Sequence, residues 1–121
     1  MEKKSLPHRH AHTHKAEDLS VQIQRAGDFQ TVAEVFKQLS DSTRVRIFWL
    51  LCHCEECVIN ISASVDMSSP AVSHHLHRLK DQGLIVSRRE GKEVYYKAAD
   101  TEESHLLHRA IEGIMAISCP K

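Results

Sequence analysis

The sequence predicts a mainly α-helical domain carrying a two-stranded β-wing, and three features predict it. From Ser68 to Gln82, Val72, Leu76 and Leu79 recur at helical spacing on one face, while Ser69, Ser73, His74, His77 and Arg78 occupy the other. After a turn at Gly83, the β-forming runs Leu84-Ile85-Val86 and Val94-Tyr95-Tyr96 flank a tight Glu90-Gly91 turn. Further amphipathic helical patterns lie on both sides of this unit. A small polar helix followed by a hairpin crowded with Arg88, Arg89 and Lys92 suits a DNA groove and its flanking phosphates. The expected fold is a winged helix-turn-helix.

The elements follow in order. Residues 1–16 hold His8, His10, His12 and His14 and no core-forming pattern, which predicts a flexible His-rich arm ahead of a domain over residues 17–119. Glu17 to Ala26 predicts a short helix ending at Gly27. Phe29 to Leu39 is amphipathic through Val32, Val35, Phe36 and Leu39, and Thr43 to Leu51 is apolar enough to be buried. Cys57 to Val65 predicts a short helix. Ser68 then suits an N-cap, and Pro70 suits the first turn, where its missing N–H costs nothing. Thr101 to Ser118 predicts a long last helix carrying Leu106, Leu107, Ala110, Ile111, Ile114, Met115 and Ile117. That is more apolar surface than a domain this small readily covers, which predicts a dimer contact.

At 121 residues the chain is one domain with a modest core. Its 16 basic and 16 acidic side chains cancel, so bulk charge announces no polyanionic partner. Distribution is more informative. Residues 68–97 carry Arg78, Lys80, Arg88, Arg89, Lys92 and Lys97 against Asp81, Glu90 and Glu93, whereas residues 98–121 set Arg109 and Lys121 against four carboxylates. Attraction for phosphate therefore sits in the helix-wing unit. No apolar run reaches the length of a membrane span, and Met1-Glu2-Lys3-Lys4 leads into histidines rather than a hydrophobic segment. The expected location is cytoplasmic, where four cysteines favour metal or redox chemistry over structural disulfides.

The runs LSDSTRVRIFWLL (Leu39 to Leu51) and AVSHHLHRLKDQGLIVSRREGKEVYY (Ala71 to Tyr96) resemble the ArsR/SmtB family of metal-sensing repressors. The likeness covers roughly residues 29–118, with Ser42 standing where the family usually has proline. It implies a homodimer formed through the N- and C-terminal helices. It also implies double-stranded operator DNA as partner, no membrane association and no enzymatic activity.

For DNA reading, the N-terminal and central polar residues of the recognition helix, Ser69, Ser73, His74 and His77, are the candidates for base edges. Arg78, Arg88, Arg89 and Lys92 are candidates for phosphate, giving affinity and salt dependence more than sequence choice. His75, flanked by core positions, fits packing as well as contact. A two-fold dimer predicts an inverted-repeat operator with half-sites about one helical turn apart.

Candidate metal ligands fall into two choices. The first is the run Cys52-His53-Cys54-Glu55-Glu56-Cys57, chiefly its cysteines Cys52, Cys54 and Cys57, combined with arm histidines His12 and His14. Thiolate with imidazole suits Zn(II) or Cd(II), and thiolates alone suit As(III) or Pb(II). Cys57 matches the first cysteine of the family's metal motif, but Ile59 and Asn60 stand where its second cysteine and an aspartate are usual. The family also supplies the idea that an arm completes such a site. The second choice is His105, His108 and Glu112 on the last helix. The family's own site there is broken, because Asp100 matches but Glu102, Gly113 and Ala116 occupy its other positions.

Metal-released repression is the reading that unites these features. An arsenite-responsive repressor and a thiol-redox switch, with Cys119 as an oxidation partner, are alternatives on the same fold. A metal-buffering protein would use the histidines and cysteines but has no need of the helix-wing unit. A zinc finger pairing Cys54 and Cys57 with His74 and His77 misses the usual histidine spacing, and a zinc deaminase would need a Pro-Cys-x-x-Cys that the chain lacks.

Overall fold

A computed structural model describes residues 2–116, which divide into two units at the boundary between Phe36 and Lys37. In the first unit, helix α1 (Thr13–Ile23) begins before the expected Glu17. The Thr13 side chain makes its entry turn: Oγ1 accepts from the His10 N–H at 2.5 Å and lies 3.3 Å from the His8 carbonyl. The segment before it is hydrogen-bonded along the helix, with the Lys4 N–H donating to Ser20 Oγ at 2.9 Å and the Leu6 N–H to Glu17 at 3.2 Å. Helix α2 (Ala26–Gln38) starts before Phe29, with Asp28 favourably placed in its first turn. Leu19, Ile23, Phe29, Val32 and Phe36 remain exposed on these two helices.

The second unit is built on α3 (Ser42–His53), capped by the Asp41 carboxylate, which accepts from the Arg44 N–H at 3.0 Å. With Asp41 as N-cap, Ser42 takes the first helical position, where proline's fixed φ would be useful but is not required. Ile47, Phe48 and Leu51 are buried, and the helix runs on to His53 before Cys54 turns extended. A two-residue strand follows, β1 (Glu56–Cys57), then α4 (Val58–Val65), closed by Asp66 in the left-handed region at φ 56°. Helix α5 (Ser69–Asp81) has Ser68 as N-cap, accepting from the Ala71 N–H at 3.3 Å, and Pro70 in its first turn.

Gly83, at φ 80°, takes the chain out of α5 into β2 (Ile85–Glu90) and β3 (Glu93–Ala98). Gly91, at φ 63°, makes the turn between them. The pairing sets Glu90 opposite Glu93 and Arg88 opposite Tyr95. Strand β1 adds to β3 with Cys57 opposite Tyr95, giving an antiparallel sheet in the order β1-β3-β2. The expected wing is thus joined by a third strand, too short to leave a periodic signal of its own.

Helix α6 (Glu102–Met115) is capped by Thr101 and ends at Ala116; Ile117, Ser118 and Cys119 lie outside the described residues. Its fully buried Ser104 hydroxyl donates to the Leu84 carbonyl at 3.1 Å, tying the helix start to the entry of the wing. Ile61 and Val65 of α4, Val72, Leu76 and Leu79 of α5, Leu84, Ile85, and Leu107 and Ile111 of α6 complete the core around α3. Leu106, Ile114 and Met115 on α6 face solvent, Ile114 at 86% exposure. No described helix is long and apolar enough to cross a membrane.

Candidate nucleic-acid interface and metal ligands

The core stripe of α5 leaves Ser69, Ser73, His74, His77 and Arg78 all exposed, as the spacing predicts. Several of them are pre-positioned. Ser69 Oγ lies 3.3 Å from Ser62 Oγ of α4, Arg78 Nε donates to His74 Nε2 at 3.1 Å, and His77 lies 3.2 Å from Asp81. His75 differs: it is half-buried, with Nδ1 3.5 Å from Arg44 and Nε2 4.0 Å from Asp41. Burial holds its pKa below the ordinary value, against the pull of Asp41. It therefore packs α5 against the start of α3.

The wing cations are not equivalent. Arg88 donates through Nε and Nη2 to Glu55 Oε1, at 2.9 and 2.6 Å, and through Nη1 to Glu90 at 2.7 Å. Its guanidinium also lies 4.9 Å from the centre of the Tyr95 ring. These carboxylates raise its pKa further, and Arg88 in turn holds the Glu55 carboxyl below the usual range. Arg89 and Lys92 are exposed on β2 and the turn. Lys80 donates to Ser87 Oγ at 2.7 Å, linking α5 to the wing. A phosphate would meet Arg89 and Lys92 directly, whereas Arg88 must first exchange a carboxylate partner.

The thiols lie where α3 gives way to β1. Cys52 is half-buried in the last turn of α3, Cys54 is its exposed C-cap, and Cys57 is half-buried in β1. Burial and the Glu56 carboxylate push the Cys54 thiol up, so a metal there must displace a proton. Cys52, His53, Cys54, Asp100, His105 and His108 line part of a surface cavity of about 300 Å³. In the first unit, His12 is the N-cap residue of α1, and His14 lies 3.7 Å from Asp18.

Of the second ligand choice, His105 is drawn away to Asp100, 2.7 Å from its Nε2. His108 and Glu112 instead meet His53 from α3, and these are the one group of three metal-ligand side chains mutually within 4.8 Å among the described residues. The sequence sets His53 inside the cysteine run and gives no sign of its pairing with His108 and Glu112, because the register of α3 against α6 is a tertiary property.

The model of the family described as bacterial regulatory protein, arsR family, matches residues 41–87, from the cap of α3 to the first half of the wing. A cadmium resistance transcriptional regulatory protein CadC homolog of Staphylococcus aureus is 42% identical over 80 residues, covering 65% of this chain and 66% of that one. A transcriptional repressor SmtB homolog of Synechocystis is 34% identical over 103 residues, covering 85% of this chain and 78% of that one. Among solved structures, a homodimeric winged helix-turn-helix DNA-binding domain from Mycobacterium bovis superposes with a TM-score of 0.68 at 32% identity, covering 76% of this chain and 84% of that one. With the polar helix, the wing and these relatives in agreement, the chain belongs to the arsR family of bacterial regulatory proteins and is a winged helix-turn-helix transcriptional regulator, not an enzyme.

Proposed function

We propose that the protein is a metal-released repressor, a two-fold dimer that holds an inverted-repeat operator through α5 and the wing. Ion capture by Cys52, Cys54 and Cys57 releases it, with Zn(II) or Cd(II) the expected ions and As(III) or Pb(II) suited to a purely thiolate site. The observation that carries this reading is the position of the thiols relative to the wing. Cys57 pairs with Tyr95 on β3, while Glu55, between Cys54 and Cys57 in the chain, holds Arg88 on β2. Drawing the cysteines around an ion moves the segment from residue 54 to 57, and with it the strand and the carboxylate that position the wing. The cadmium-resistance name of the staphylococcal relative fits thiolate chemistry, and the homodimeric M. bovis domain fits the exposed apolar face of α6. By linkage the ion must bind the DNA-free form more tightly, each tenfold preference contributing about 1.4 kcal/mol of coupling.

The test is fluorescence anisotropy of the reduced protein on DNA from upstream of its own gene, against random DNA, with Zn(II), Cd(II) and arsenite titrated in parallel. Salt-sensitive specific binding released by one ion per subunit, and not released in Cys54→Ser/Cys57→Ser, is expected. Specific binding indifferent to all three ions transfers the trigger to thiol oxidation, and no preference over random DNA sinks the repressor reading.

A further inference from the structure

Helix α3 presents Trp49 and His53 one turn apart, and α6 presents His108 and Glu112 one turn apart. The two pairs meet. His53 Nε2 and His108 Nε2 are 3.2 Å apart, with the rings nearly perpendicular at 85°. Glu112 Oε1 lies 3.6 Å from His108 Nε2, and Oε2 lies 4.0 Å from His53 Nε2. Oε2 also accepts a hydrogen bond from Trp49 Nε1 at 2.9 Å. All three ligand side chains are half-buried, at 15–20% side-chain exposure.

We infer that His53, His108 and Glu112 form a metal site within a single subunit, for a first-row divalent cation of the Zn(II), Co(II) or Ni(II) kind, separate from the thiols. Two nitrogens bound tetrahedrally at about 2.05 Å from one ion stand about 3.3 Å apart, close to the spacing found here. A cation between the rings would bind both facing nitrogens at once. Two imidazoles and a carboxylate form a borderline donor set that favours these ions over thiophilic ones. The Trp49 indole orients the carboxylate from behind, the outer hydrogen bond that metal-bound carboxylates ordinarily have. Three protein ligands leave a fourth position, and the adjoining cavity, lined by His53 and His108, gives water access to it. An ion here ties the last turn of α3, one residue from Cys52 and from Cys54, to the C-terminal helix. The inference stands independently of the thiol trigger.

Trp49 is the sole tryptophan of the chain and reports on the site directly. Co(II) added to the reduced full-length protein should quench its fluorescence to saturation at one ion per subunit. The same should occur in a variant with all four cysteines replaced by serine, without the intense sulfur-to-cobalt absorption that thiolate ligation produces. Quenching should be lost in His53→Ala and in His108→Ala, both of which retain the arm histidines and so control for cobalt bound there. Glu112→Gln, which still offers Trp49 an oxygen acceptor, should keep the apo fold by circular dichroism and weaken Co(II) by more than about tenfold. Quenching that survives both histidine variants, that vanishes only with the cysteines, or that is unchanged in Glu112→Gln overturns the site.

Discussion

Asp41 and His75 show how single side chains are fixed by function and packing together. The Asp41 carboxylate caps α3, and the Arg44 N–H it accepts from holds its pKa below the ordinary 3.8. Its contribution is therefore complete above that value and is lost as pH falls through the depressed one. Asp41→Ala should cost about 1 kcal/mol in urea unfolding at neutral pH and flatten the acid limb of the stability curve. For His75 the sign runs the same way for a different reason. Burial favours the neutral ring, so stability present above the ordinary 6.5 declines as pH falls below it. Asp41, Arg44, His74 and Arg78 are the charged or titratable groups acting on that ring. Unfolding midpoints measured on either side of that pH should differ more in the natural protein than in His75→Gln.

The wing is the element whose behaviour departs most from a reading of its charges. Arg89 and Lys92 should each contribute about one unit to the slope of log affinity against log salt, and Arg89→Ala or Lys92→Ala should remove it without changing base preference. Arg88→Ala should cost less than either, because Glu55 and Glu90 already occupy that guanidinium. Glu55→Gln should weaken DNA binding by loosening the hold of the 54–57 segment on the wing; tighter binding would show that the ion pair screens Arg88 more than it shapes the wing. The hairpin turn has its own check. Gly91→Ala places a Cβ at φ 63° and should destabilise the wing by about 1–2 kcal/mol, read from unfolding and from faster hydrogen exchange of the β2–β3 amides.

At the scale of the whole molecule, exposed apolar surface is the dominant feature. Leu106, Ile114 and Met115 are exposed on α6, and Ile114 and Met115 carry the stripe of the buried Leu107 and Ile111 on past the core toward the helix end. Ile114→Glu should shift sedimentation toward monomer and lower operator affinity steeply, while leaving the subunit's fold by circular dichroism unchanged. A monomer that still binds the full operator tightly would remove the dimer from the proposed mechanism. Leu76→Ala, by contrast, opens a cavity between α5 and the core and should cost about 2–5 kcal/mol of stability in any oligomeric state.

Local chemistry alone determined the winged helix-turn-helix here. The 3.6-residue stripe of Val72, Leu76 and Leu79, the Ser68 cap and the glycine turns are short-range signals, and the exposed reading face is their geometric complement. Helix starts were less legible: α1 begins at Thr13 through hydrogen bonds to the preceding turn, and α2 at Ala26, ahead of the expected Glu17 and Phe29. Strand β1 exists because β3 offers its free edge to Glu56 and Cys57, a long-range pairing without periodicity in two residues. The same holds for side-chain partners. The sequence named His108 and Glu112 as ligands but joined them to His105, their neighbour on one helix. Only the packing of α3 on α6 brings His53 to them, sends His105 to Asp100 and gives Arg88 to Glu55. Spacing along a helix fixes which residues share a face; which faces meet, and in what register, is decided by how the core fills.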